Sequence, residues 1–303
     1  MPEDIAVRTA AFLGDDELRP SPNFGQRVAR IGQLARRNPL GAIGFIIIAF
    51  FVMIAIFAPI IAPYRAGELP GFPNEPMSSD FWFGTQKNGD DIFSRVVLGS
   101  RISLSVAIIS VIGGGTVGLI LGITSGYLGG PIDSTIQRTV DAAIAFPALL
   151  LLLIITQSLG PSFRTIVFAL SLAVIPGVTR VVRGAVLSEK NNQYIEAARA
   201  SGAWAPRIVF RHLLPNVVAL GIIVMTTLLG GIILAEAALS FLGLGIPGAA
   251  SWGKDVNDAR QSFPFHLPAA IFPGAAITLT VLGFNLLGDA IRDIGDPRLR
   301  GTR

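Results

Sequence analysis

The sequence predicts an all-α, polytopic membrane protein with six transmembrane helices. Three observations carry that prediction. First, 51% of the 303 residues are hydrophobic and only 15% are charged, with a mean hydropathy of +0.61. That is too little polar surface to clothe a soluble domain of this length, so much of the apolar surplus must face lipid. Second, six apolar runs each approach the roughly 20 residues that cross a hydrocarbon core as helix. Third, the basic residues sit in short segments between those runs, the pattern that sets membrane topology. Runs such as Ile222–Leu229, interrupted only by the adjacent Thr226 and Thr227, lack the alternation of a lipid-facing barrel strand. The 34 glycines and 20 prolines are also tolerated in membrane helices, where neighbouring helices satisfy freed backbone groups.

Taken in order, residues 1–40 form an N-terminal tail. Within it Phe24, Val28, Ile31 and Leu34 fall at helical spacing with Arg27, Arg30, Arg36 and Arg37 interleaved. This reads as an amphipathic helix on an anionic leaflet, or as a basic stop before the first span; the two are compatible. The first span covers 41–62. It follows a long tail and lacks a small-residue cleavage site, so a cleaved signal is not expected. Residues 63–101 form a Pro/Gly-rich polar loop on the outer side. A five-helix core, 102–291, follows, with spans expected at Ile102–Gly126, Val140–Leu159, Thr165–Val182, Val217–Gly243 and Ala269–Leu287. The Val140–Leu159 and Thr165–Val182 spans flank Gly160, Pro161 and Ser162 and read as a helical hairpin. An inner loop, 183–216, and an outer loop, 244–268, belong to this core, and 292–303 is a C-terminal tail. Counting Arg138 and Arg180, the latter at the inner end of a span, Lys and Arg number 17 on the side of the tails and of 183–216, against seven on the other. The positive-inside rule therefore puts both termini in the cytoplasm.

Composition also excludes. With no cysteine there is no disulfide, thiolate metal site or cysteine nucleophile. The net charge of +4 is spread among the spans rather than along one face, which argues against nucleic acid. His212 and His266 share no metal-ligand spacing, so no metal is expected, and no Ser/His/Asp arrangement suggests catalysis. Gly248–Lys254 approaches a phosphate-binding loop, but Asp255 follows where Ser or Thr must hold magnesium, and no strand precedes it. No nucleotide or other cofactor is therefore expected on this chain.

The informative stretch is Glu196, Ala197, Ala198, Arg199, Ala200, Ser201, Gly202, with Leu214 and Pro215 beyond it. Asn191 and Asn192 can cap a short helix, and Gly202 can end it in the left-handed conformation. Pro206 suits the first turn of a second helix, which Pro215 is expected to stop. Such a helix of small residues is either a plug for another protein's groove or a plain connector lying on the membrane.

This spacing resembles the EAA loop of binding-protein-dependent ABC importer permeases. Glu196, Ala197, Ala198, Gly202, Leu214 and Pro215 stand in register, and His212 replaces an aliphatic residue. Phe83-Gly84-Thr85, Asp91 to Arg95, Gly99 to Leu104, Asp141 with Phe146-Pro147, Leu239 to Gly245, Ser251-Trp252-Gly253, Gly288 to Asp293 and Asp296-Pro297-Arg298 are similar to segments of the dipeptide/oligopeptide/nickel permeases, of the second, C-type subunit. Gln86, Asp90 and Gly295 depart from the usual pattern. The resemblance implies a type I ABC-importer permease fold in the bacterial inner membrane. It implies that Glu196–Gly202 (with Arg199 and Ser201), Leu214 and Pro215 couple the chain to the ATPase. It further implies a homologous second permease, two cytoplasmic ATPase subunits that carry ATP and Mg, an external solute-binding protein and a lipid surround. Peptides, nickel chelates, glutathione and opines are carried by relatives.

Other residues stand out on their own chemistry. Gly114, Gly118, Gly122 and Gly126 recur every fourth residue, a smooth ridge for a helix of this chain or of a second subunit. Glu236 lies inside a span, where an ionisable group faces protein or a water path. Together with Asp141 and with Pro176, a candidate hinge, it is a candidate gate or path residue. An ion-gradient-driven transporter or channel built around Glu236 is the alternative reading.

Overall fold

The computed structural model describes residues 38–262 and 265–295. The expected basic helix around 24–37 and the Asp296–Arg298 segment lie outside them. Ten α-helices, labelled in chain order, make up the described architecture. They are α1 (Pro39–Ile61), α2 (Ile92–Leu128), α3 (Gly130–Ala145), α4 (Ala148–Leu159), α5 (Phe163–Glu189), α6 (Gln193–Ala200), α7 (Ala205–Ile208), α8 (Leu214–Leu239), α9 (Trp252–Ala259) and α10 (Pro268–Gly295). π-turns at Val209–Leu213 and Ser240–Leu244 flank α8. Extended pairing among the described residues is limited to an isolated bridge, Thr85 with Asp91.

Five helical stretches are long and apolar enough to cross a membrane, and α3 with α4 make a sixth crossing if the bent pair is one span. α2 and α5 form the centre. The apolar window of α2 is half buried, whereas that of α1 is 17% buried. α1 accordingly shows Phe45, Ile46, Ile56 and Ile60 on its outer side, the face that suits lipid. Its inner side zips onto α10 through glycines: a Cβ on Gly44 would meet Leu286 Cβ at 2.8 Å, and one on Gly283 would meet Ile47 at 2.9 Å. Such close backbone approach is how membrane helices gain contact when lipid supplies no hydrophobic drive.

The loop between α1 and α2 is knitted rather than loose. Thr85 Oγ1–H donates to Phe72 O (2.6 Å), Gln86 N–H to Asp90 O (2.8 Å) and Asn74 N–H to Gln86 O (3.1 Å). Asp91 then caps α2, accepting from Ser94 N–H at 2.8 Å. At the same end α9 drives Trp252 into the bundle. The ring is fully buried, its Nε1–H donates to Val96 O at 2.9 Å, and it meets Phe51 of α1 edge-on at 5.4 Å.

Three expectations need correction. The third span is not one helix over Val140–Leu159. It starts ten residues earlier, at Gly130, and breaks at Phe146-Pro147, where α3 and α4 meet at 89°. Proline disfavours helical geometry in the residue before it, and Phe146 is extended (φ −80, ψ 134). Pro215 does not stop its helix: helical backbone runs from Ala205 through α8 to Leu242, and Gly243 (φ 88) breaks it. The π-turn before Pro215 shifts the hydrogen-bond register, with Leu214 N–H bonding Val209 O, and the proline sits in the first turn of α8, where its missing N–H does no harm. Finally, helix claims residues 92–101 of the expected outer loop and 183–189 of the expected inner loop. At about 1.5 Å per residue α2 is roughly 55 Å long, well beyond a ~30 Å hydrocarbon core.

Candidate functional site

The connection from α5 to α8 is a small, anchored structure. α5 ends at Glu189, with Lys190 as its C-cap; the Lys190 ammonium donates to Gly126 O of α2 at 2.9 Å. Asn192 is the N-cap residue of α6 but forms no side-chain cap bond. α6 ends in a Schellman turn: Gly202 N–H bonds Arg199 O, Ala203 N–H bonds Ala198 O, and Gly202 has φ +81. Ile195 is wholly buried beneath α6, as are Ile208 and Leu213 beneath the next turns. Glu196, Ala197, Arg199, Ala200, Ser201 and Gly202 are exposed, Ala198 is half-buried, and Trp204 and Phe210 stand out beside them. The result is a knob of small side chains held by apolar pegs from below. Leu214 packs against the core, and Pro215 is exposed at the head of α8.

A polar clamp that sequence reasoning missed holds this knob. Tyr194 O–H donates to the Glu189 carboxylate, and Asn216 Nδ2 donates to Glu189 Oε1 (3.1 Å) and to Tyr194 Oη (3.2 Å). One residue each from the end of α5, the first turn of α6 and the first turn of α8 therefore meet at one point. The bonds tie α6 to both long helices. Nothing in the local spacing of Glu189, Tyr194 and Asn216 announces the meeting.

The four ridge glycines face α5 of the same chain. A Cβ on Gly114, Gly118, Gly122 or Gly126 would stand 2.9, 2.8, 2.7 or 2.8 Å from the Cβ of Val174, Val178, Val182 or Val186, respectively. Two four-residue repeats thus mesh, glycine against valine.

Glu236 is 1% exposed, and both its oxygens are bound: Ser103 Oγ–H donates to Oε2 (3.0 Å) and Ser240 Oγ–H to Oε1 (2.8 Å). It ties α8 to α2. Hydrogen bonds offset the desolvation of a buried carboxylate. Asp141, by contrast, is exposed on α3 and pairs with Arg180 of α5 at 2.5 Å. Pro176 is buried inside α5, which stays helical through it, and lines a cleft beneath α3. The structure therefore does not gather Glu236, Asp141 and Pro176 into one site. Near Trp252, Arg95 Nε–H donates to Asp255 (2.6 Å) and Nη1–H to Asp90 (3.2 Å), with Asp258 at 3.8 Å. Gly253, of the near-match to a phosphate loop, abuts Ala237, and Ser251 serves as the cap of α9.

Comparison with known proteins decides what this architecture is. The model of the family described as "Binding-protein-dependent transport system inner membrane component" matches residues 118–301, a span that holds most of the glycine ridge, the knob and α8 to α10. The chain belongs to that family. The N-terminal transmembrane domain of oligopeptide transport permease C matches residues 32–70. Relatives include the dipeptide transport system permease protein DppC of Alkalihalophilus pseudofirmus, 41% identical over 267 residues, covering 88% of each chain. The glutathione transport system permease protein GsiD of Pectobacterium atrosepticum is 41% identical over 256 residues, covering 84% of this chain and 85% of its own. The oligopeptide transport system permease protein OppC of Bacillus subtilis is 36% identical over 267 residues, with 88% coverage of each. A crystal structure of an amino acid ABC transporter with histidines shares the fold, with a TM-score of 0.52, 18% identity, and coverage of 65% of this chain and 92% of that one. The protein is thus a multi-pass permease subunit of an ABC importer and not an enzyme; family membership sets aside the ion-gradient alternative.

Proposed function

We propose that this permease forms half of the translocation path of an ATP-driven importer for peptides or related small solutes. A homologous second permease supplies the other half. Two cytoplasmic ATPase subunits bind ATP and Mg, and an external solute-binding protein delivers the cargo. Both termini and the knob at Glu196–Gly202 face the cytoplasm of a bacterial inner-membrane system, in keeping with the 17-to-seven distribution of Lys and Arg.

The observation that carries this reading is the knob itself. It exposes small residues on a rigid, pegged helix and is clamped at Tyr194 to both α5 and α8. A push on such a body moves two spans together, whereas a loose loop would absorb it. Glu196, Ala197, Ala198, Arg199, Ser201 and Gly202 form the contact with the ATPase, and Leu214 and Pro215 set the base from which it projects. The peptide class rests on the dipeptide, oligopeptide and glutathione relatives.

Gly202→Val tests the coupling. At φ +81 a β-branched side chain is strained, while no neighbour lies within 4 Å to block membrane assembly. The variant is expected to insert normally and to lose ATP-dependent uptake in proteoliposomes of the full complex. Uptake at the wild-type rate would refute the coupling role.

A further inference from the structure

α3 is attached to the bundle in an unusual way. At one end it leaves α2 through Gly129 and Gly130, both at positive φ (68 and 57), with open space around each. At the other end it meets α4 at 89° across Phe146-Pro147. Between these two breaks its one fully buried residue is Val140. A helix fixed to a core buries a whole apolar stripe; α3 instead bridges a cleft of about 400 Å³, walled by Thr139, Ala143, Leu151, Leu172 and Pro176.

What ties α3 down is charge. Asp133, Gln137 and Asp141, four residues apart, share one face. Asp133 makes a two-pronged pair with Arg183 of α5, Nε to Oδ1 and Nη2 to Oδ2, both 2.6 Å. It also accepts from Ser125 of α2 at 2.5 Å, and Gln137 donates to that serine at 2.9 Å. Asp141 pairs with Arg180 at 2.5 Å, and both side chains are more than half exposed. Arg180 lies nine residues inside the Glu189 end of α5, roughly 14 Å along the axis. Exposed charges at that depth face water or protein rather than lipid.

We propose that α3 is a hinged gate of the transport cycle and that Asp133 and Asp141, paired with Arg183 and Arg180, are the gating residues that latch it to α5. The proposal rests on the reading of this chain as an ATP-driven permease. Ion pairs in contact with water suit a latch, because each charge regains hydration when the pair opens, so release is inexpensive. The two glycines and the Phe146-Pro147 break supply the hinges, and the cleft supplies the room for α3 to move.

The test uses the assembled complex of both permeases, ATPases and binding protein in proteoliposomes. The chain has no cysteine, so D141C/R180C can be bridged selectively with a short bis-methanethiosulfonate. Bridging is expected to lower ATP-driven uptake by about tenfold or more, as for a lid that must open in each cycle, and reductant is expected to restore it. D141C alone, given the same reagent, keeps its own rate. Unchanged uptake with the pair bridged overturns the gate. Because those substitutions remove one rung, a second measurement keeps both: spin labels at R138C and V181C, each exposed. The distance between them is expected to shift by several ångströms between nucleotide-free and ATP-trapped complex. One unchanged distance, as from a static seam against the second permease, overturns the gate. An unmodified complex with no ATP-driven uptake would instead sink the permease reading itself.

Discussion

At Asp255 a single carboxylate shows how the loop end balances burial against charge. It is fully buried, and Arg95 holds it at 2.6 Å. Burial is the larger effect and pushes its pKa up from 3.8 to about 6, with Arg95 opposing. Between those two values the folded chain keeps a proton that the unfolded chain has released. The contribution of Asp255 is therefore fully present below about pH 4 and is lost as pH rises through about 6. Asp255→Asn removes this titration. The thermal-transition gap between wild type and D255N is expected to shift in favour of the variant as pH is raised from 4.5 to 7.5. A shift the other way, measured on purified complex, would refute this assignment. The pair is part of the bracket that sets α9, and with it Trp252, against α1 and α2.

Among elements, the seam between α2 and α5 is the tightest dependence of fold on sequence. Glycine every fourth residue on α2 meets valine every fourth residue on α5, and Val178, Val182 and Val186 have no exposure at all. A Cβ at Gly118 would stand 2.8 Å from Val178 Cβ and 2.9 Å from the Ile175 carbonyl, so backbone must move. Gly118→Ala is expected to destabilise by about 1–3 kcal/mol, the usual range for overpacking a close interface. Gly184→Ala on α5 is the control: no atom lies within 4 Å of the added carbon, and alanine favours helix by about 1 kcal/mol. Thermal melts should therefore fall for G118A and hold or rise for G184A. Equal effects would mean that the ridge is not packed as described. α3 is the opposite kind of element, joined by polar rungs over a cleft, and the contrast with α2–α5 is what marks it as mobile.

Over the whole molecule, α3 and α4 decide the topology. Counted as one bent crossing they make six, which returns the chain to its starting side; counted as a re-entrant pair they leave five, and the termini separate. The cysteine-free background allows a direct check. S201C, in the knob, is expected to react with an impermeant maleimide only from the cytoplasm, and S78C, in the loop before α2, only from outside. Labelling of both from one side would break the six-crossing arrangement and the coupling scheme with it.

Features that depend on a residue and its chain neighbours are legible in the amino-acid sequence. Hydropathy located the spans, because leaving lipid for water is decided locally. The spacing from Glu196 to Gly202 located the knob, since a left-handed glycine ends a helix wherever it sits. Glycine recurrence located a ridge, although not what fills it. Phe146-Pro147 is visible too, but it reads as a family mark rather than as a break, and the apolar run through it conceals the 89° bend. Pro215 misled in the reverse sense, because a π-turn in the preceding residues makes room for it. Tertiary structure alone decided which distant groups meet: Val174 to Val186 on the glycines, Glu189 and Asn216 on Tyr194, Arg95 on Asp255, Arg180 and Arg183 on the aspartates of α3. Such pairings are set by how whole helices pack and rotate against one another, a property shared by many residues and written in no short stretch of chain.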